Sequence, residues 1–217
     1  MKSSILYSNA AGALFFALLF TARLTPVASA ETNANPGLIR YQGQPAGSTC
    51  KIEGTSNIHD WSMEGRLIVG YLEADAKFPE SALTDPKAAR PTVQVSIPVR
   101  SLKSPHTTMD TRMQKEMDEP NHKQIQYRLI ELKPKSPAGT TGAVEFDATG
   151  ILTIKGVSRT NTIPVTILKA DSKIKVSGSM PAKMTDFGVT PPVTLGLFTT
   201  GDDIKISFEW MTAPKAQ

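Results

Sequence analysis

The densest run of polar, chemistry-capable side chains in the 217-residue sequence is Thr55-Ser56-Asn57-Ile58-His59-Asp60-Trp61. A histidine beside an aspartate suggests a general base oriented by a carboxylate. Adjacent residues of a strand point to opposite faces, however, so Asp60 is badly placed to orient His59. The run therefore reads as a turn entering a strand, with Asn57 and Asp60 bonding backbone and Trp61 packing under the barrel. The three histidines, His59, His106 and His122, show no recurring short spacing, so a metal site would have to be assembled entirely by the fold. A Gly-x-Ser-x-Gly elbow and a cysteine close to a histidine are both missing, which leaves nucleophilic catalysis without a signal. Cys50, the single cysteine, stands in an alternating apolar segment and reads as a small buried hydrophobe. It also excludes an intramolecular disulfide. Asp186-Phe187-Gly188 matches a kinase tripeptide, but the glycine loop, strand lysine and catalytic loop that give it meaning are not in the sequence; it reads as a strand end and turn. No dinucleotide or phosphate-binding glycine motif occurs. No catalytic residue, metal or cofactor is expected.

The elements that position these residues are strands. Apolar side chains recur at every second position, and Gly, Pro, Asn, Asp and Ser punctuate the runs. The clearest are Val93, Val95, Ile97 and Val99; Ile125, Tyr127 and Leu129; and Val144, Phe146, Ala148, Gly150, Leu152 and Ile154. Ile163 to Ile167, Ile174 to Gly178 and Ile204 to Trp210 follow, and 38–42, 48–55 and 61–73 add strands of looser alternation. Eight or nine strands in one domain suit a closed barrel or a two-sheet sandwich. Each strand has one dry face, and the dry side encloses either a packed core or a ligand cavity. The inward set includes Val95, Ile97, Tyr127, Phe146, Ile154, Val176 and Phe208, with Trp61 beside them; Gly150 and Gly178 are expected to leave room among them.

One segment breaks this rhythm. Met109, Met113 and Met117 recur at helical spacing over 107–119, with Asp110, Arg112, Lys115 and Glu116 on the other face. So short a helix must dock its methionine face on the sheet or across a barrel mouth. The stretches 74–91 and 133–141 read as surface loops, and 212–217 reads as a disordered tail.

At the N-terminus, Lys2, the apolar run from Ala10 to Phe20 and the small residues Ala28-Ser29-Ala30 have the layout of a secretory signal peptide, with cleavage expected after Ala30. The apolar run is too short to span a membrane, so no stable anchor is expected. The remaining 31–217 suit one domain, with an ordered core over about 38–211. Of the 24 Lys and Arg against 20 Asp and Glu, Lys2 and Arg23 fall within residues 1–30 and no acid does, so the remainder carries +2. That weak, scattered charge argues against nucleic acid as a partner.

Taken together, several segments resemble the YceI-like family of exported bacterial proteins. They are Gly54 to Trp61; Val95-Ser96-Ile97-Pro98-Val99 with Ser101-Leu102; the Met109-Asp110 helix; Gly150-Ile151-Leu152-Thr153-Ile154-Lys155-Gly156-Val157; and Asp186-Phe187-Gly188-Val189. The resemblance implies an all-β fold, an eight-stranded antiparallel lipocalin-like barrel with one short α-helix. It also implies an interior that holds a long apolar lipid, an isoprenoid in the best-known case. Where the family often carries Phe-Phe-Asp and a Tyr-Pro pair before the strand after the helix, this chain reads Met117-Asp118-Glu119-Pro120-Asn121-His122-Lys123-Gln124. Three functions are compatible with the sequence. The first is a periplasmic or secreted lipid carrier whose ligand contacts Trp61, Val95, Ile97, Met113, Met117, Tyr127, Phe146, Ile154, Val176 and Phe208. The others are a ligand-free structural or stress-associated interaction protein, and a catalyst on a bound amphiphile with His59 as base.

Overall fold

The computed structural model describes residues 37–194 and 196–215, and the expected signal peptide lies outside them. Ten strands are found among the described residues: β1 (Leu38–Ser56), β2 (Trp61–Gly65), β3 (Val69–Asp75), β4 (Thr92–Pro98), β5 (Gln124–Pro134), β6 (Ala143–Ile154), β7 (Val157–Ala170), β8 (Lys173–Lys183), β9 (Val193–Thr194) and β10 (Phe198–Pro214). All pairings are antiparallel, and β1 closes the ring by pairing with β10. The two halves of β1 pair with β3 and β2, so these two strands occupy one position interrupted at 66–68. β9 is a two-residue hairpin partner of β10 outside the ring. The closed wall is thus an eight-stranded antiparallel barrel, in the order β1 (flanked by β2/β3), β4, β5, β6, β7, β8, β10.

The two runs read as separate strands at 38–42 and 48–55 are one strand with a bulge between Gln44 and Thr49. Ser48 stabilises that bulge: its hydroxyl donates to the Gln44 carbonyl and accepts the Met211 N–H at 3.0 Å. The turn between β6 and β7 shows why part of the family-like motif is needed. Ile154 faces Val157, and the two residues between them, Lys155 and Gly156, both have positive φ, at 49° and 75°. That is the two-residue hairpin geometry matched to strand twist, and a glycine relieves it.

The inward parity read from the sequence holds on every long strand, with Cys50, Leu72, Ile125, Leu152, Val165, Ile174 and Trp210 all buried. Burial pushes the Cys50 thiol up to about 12, in keeping with a packing role. Two readings are corrected. The stretch 74–91 is not a surface loop: it forms two short helices, α1 (Glu80–Thr84) and α2 (Pro86–Ala89), and Phe78, Ala82, Leu83 and Ala89 are buried. This apolar cluster caps the barrel end opposite the β1–β2 turn. Residues 212–215 are not a loose tail either. Thr212 is fully buried, its hydroxyl donates to the Ile174 carbonyl at 3.0 Å, and Ala213 and Pro214 still pair with β1. The start of β1 has no other partner on that side, so β10 must run long to complete the wall.

The third helix, α3 (Thr107–Glu116), crosses the other end. Among the described residues no helix is long and apolar enough to cross a membrane.

Candidate lipid-binding chamber

The open end of the barrel is built from the β1–β2 turn, the segment carrying α3, the end of β6 at Ile154, and Met184, Phe187, Val189, Pro192 and Phe198. α3 is anchored at both ends. Ahead of it, Glu64 and Lys103 exchange two backbone hydrogen bonds of 2.8 Å. Asp110 then accepts the Ser104 N–H at 2.7 Å and the Ser104 hydroxyl at 2.8 Å, with the Lys103 ammonium 3.6 Å away. Burial opposes ionisation of Asp110, but these donors together hold its carboxyl below its ordinary range. Asp110 is thus a buried anchor, not the solvent-face residue suggested by helical spacing. Beyond the helix, buried Glu119 pairs with Arg100 at 2.7 Å.

Held in this way, the methionine face covers a chamber of about 470 Å³. Met63, Met109, Met113, Met117 and Met184 line it, together with Leu102, Phe187, Val189 and Ile204. Five of the chain's 8 methionines gather here, which gives the wall adaptable side chains of low polarity. Polar groups form its edge: Ser56, His59, Thr108, Arg112, Glu116, Thr199 and Thr200. Deeper in the barrel lies a second space of about 120 Å³ with an almost entirely apolar wall. Ile52, Ile125, Ile154 and Ile206 border both spaces, so the two meet at these four side chains.

Nine of the ten residues named from the sequence border these spaces. Trp61, Met113 and Met117 line the outer one; Val95, Ile97, Tyr127, Val176 and Phe208 line the inner one; Ile154 borders both. Phe146 is fully buried in the core and is not among the residues bordering either space. The glycines are corrected. A Cβ on Gly150 would lie 2.4 Å from Cζ of Tyr127, and one on Gly178 would lie 2.8 Å from the Pro164 carbonyl oxygen and 3.1 Å from Cζ of Phe208. Each glycine seats an aromatic ring against the wall, and the free space lies beyond the ring. Burial pushes the Tyr127 hydroxyl up to about 12, so it stays neutral.

The polar run at 55–61 is the turn that the sequence suggested. The Ser56 hydroxyl accepts the Ile58 and His59 N–H groups, and the Asn57 side chain bonds the Leu197 carbonyl at 2.8 Å and the Thr199 N–H at 3.0 Å. These contacts tie the turn to the hairpin of β9 and β10 across the chamber edge. His59 Nδ1–H donates to the backbone carbonyl of Asp60 at 2.8 Å, and no carboxylate takes that place. Trp61 packs over Gly54 with its indole N–H on the Thr55 carbonyl at 3.0 Å, and it stands at the chamber wall, not under the barrel. Among the described residues no group of three His, Cys, Asp or Glu side chains could hold a metal.

The sequence reading missed Met63, Met184, Phe187 and Val189. Phe187 belongs to the Asp186-Phe187-Gly188 turn, where Gly188 adopts φ 66° and Phe187 is buried. Lys155 of the β6–β7 turn donates to the Gly188 carbonyl at 2.8 Å, so two of the family-like motifs meet at one edge of the chamber.

The family model for the YceI-like domain matches residues 41–211. The chain belongs to the YceI-like family. Among solved structures, it is similar to BcnA of Burkholderia cenocepacia at 20% identity and a TM-score of 0.61, covering 78% of this chain and 98% of that one. It is also similar to a polyisoprenoid binding domain from Saccharophagus degradans implicated in plant cell wall breakdown, at 11% identity and a TM-score of 0.60, over 82% and 99% of the two chains. A YceI protein of Campylobacter jejuni aligns at 21% identity with a TM-score of 0.50, over 67% and 82%. At these identities the likeness is one of fold. Among curated proteins no relative matches.

Proposed function

We propose that this YceI-like protein is an exported carrier or sequestering protein for an isoprenoid or similar long apolar lipid, acting without catalysis. The observation that carries the reading is the apolar chamber beneath α3, with a second apolar space behind it in the barrel. A volume of 470 Å³ lies within the range of small-molecule sites. Its wall offers dispersion and burial, with polar groups confined to the edge where the head of an amphiphile would meet water. The polyisoprenoid binding named for the Saccharophagus degradans domain supports the ligand class. The signal-peptide layout of residues 1–30 supports export to the periplasm or beyond, with cleavage after Ala30.

Intact-mass measurement of exported protein tests the export reading, with Glu31 expected as the first residue and Met1 contradicting it. Organic extraction of the same material tests the carrier reading, with an apolar lipid expected in stoichiometric amount. One observation favours the rival, a ligand-free interaction protein: the inner space is only 120 Å³, so most of the barrel interior is filled by side chains.

A further inference from the structure

The residues that border both spaces are all isoleucine: Ile52, Ile125, Ile154 and Ile206. Ile52 and Ile206 are direct cross-strand partners on β1 and β10. Ile125 and Ile154 lie one step beyond the Gln126–Thr153 pair, on neighbouring β5 and β6. In an eight-stranded ring ordered β1 (with β2/β3), β4, β5, β6, β7, β8, β10, these two pairs stand on opposite walls. A β-branched side chain has few χ1 choices, so the pairs form a stiff collar, unlike the flexible methionines above them.

We infer that an apolar chain passes this collar and that the small space behind it sets an upper limit on the chain length the protein holds, at about 24 carbons. The inference rests on the carrier reading and adds a specificity to it. A 150 Å³ apolar cavity holds benzene, or about 25 Å³ per carbon. On that scale the inner 120 Å³ takes about five carbons and the outer 470 Å³ about nineteen. A chain up to this length exchanges a bilayer interior for an equally apolar wall, and its extra methylenes neither gain nor lose. Beyond it, each methylene that leaves the bilayer must stay in water, which costs about a factor of four in occupancy.

The test presents the purified, lipid-stripped protein with phosphatidylcholine vesicles. These carry an equimolar mixture of straight-chain primary alcohols of about 12 to about 32 carbons, lengths that bracket the limit drawn from cavity volume. Native mass spectrometry reads which alcohols are bound. Occupancy is expected to hold level and then fall about fourfold per methylene above about 24 carbons. Val95→Phe, which adds bulk to the inner space, is expected to bring the fall down by a few carbons. Tyr127→Ala, which removes bulk from the same space, is expected to move it up, and it keeps the test open if the first variant does not fold. Level occupancy through the longest alcohol, or a fall that stays in place in both variants, overturns the length limit and leaves the carrier reading standing. Failure to bind an alcohol of any length overturns the carrier reading and the limit together.

Discussion

Gly150→Ala gives a change whose sign separates the structure from sequence propensity. Gly150 is in the interior of β6 with an ordinary extended backbone, where glycine is about 0.5–1 kcal/mol worse than alanine. On propensity alone, the substitution should stabilise. In the structure, the new Cβ would lie 2.4 Å from Cζ and from Oη of Tyr127. Carbon atoms in contact sit about 3.5–4.0 Å apart, so the ring must retreat by more than about 1 Å. The Tyr127 side chain is enclosed on the wall side, and its retreat leads into the inner space of 120 Å³. Overpacking of this kind costs about 1–3 kcal/mol, enough to outweigh the propensity gain. Urea denaturation of wild type, Gly150→Ala, Tyr127→Leu and the double variant measures it. The expected outcome is a loss of about 1–2 kcal/mol for Gly150→Ala, with the loss largely absent on the Tyr127→Leu background. Stabilisation by Gly150→Ala, or additivity of the two changes, would refute the seating of the ring on the glycine.

The helix supplies the next expectation: Met117→Glu places a carboxylate at a buried site and should lower stability by several kcal/mol, while half-buried Met113→Glu should cost less. Equal, negligible shifts in thermal melting would show that α3 is not docked through this face. For Asp110, whose carboxyl is held below its ordinary range, the linked stability is fully present above the unfolded pKa of about 4. It is lost as pH falls through the lower folded value. Asp110→Asn should therefore be less stable at neutral pH and should show a flatter acid limb in melting temperature against pH; an unchanged acid limb contradicts the anchor. Cys50, buried and with its thiol pushed up to about 12, should react with a disulfide reagent at pH 8 only as fast as the protein unfolds. Rapid labelling of the native state contradicts its place in the core.

Most of the wall could be read from the sequence because period two is a strong signal and parity decides which residues face inward. Val95, Ile97, Tyr127, Ile154, Val176 and Phe208 were all placed on the correct side for that reason. Phe146 shows the limit of parity: it faces the core but borders neither space, and only the packing of neighbouring strands decides that. Gly150 and Gly178 could not be interpreted without register, because the rings that fill them come from other strands, Tyr127 on β5 and Phe208 on β10. The capping segment with Phe78, Ala82 and Leu83 carried an apolar signal, but its prolines and lack of period pointed to a loop. Met184, Phe187 and Val189 lie in an irregular segment, where no periodicity marks a side chain as facing a chamber.

The central claim, that the dry space holds an apolar lipid, is tested most directly on protein purified gently from its native host. Native mass spectrometry, followed by solvent extraction and identification of what is released, gives the answer. A single bound lipid, with a mass that leaves the polypeptide on extraction and disappears when Met113→Arg places charge in the outer chamber, is the expected result. A bare polypeptide mass, from protein that also takes up no apolar probe, would contradict the claim and leave the ligand-free interaction protein as the better account.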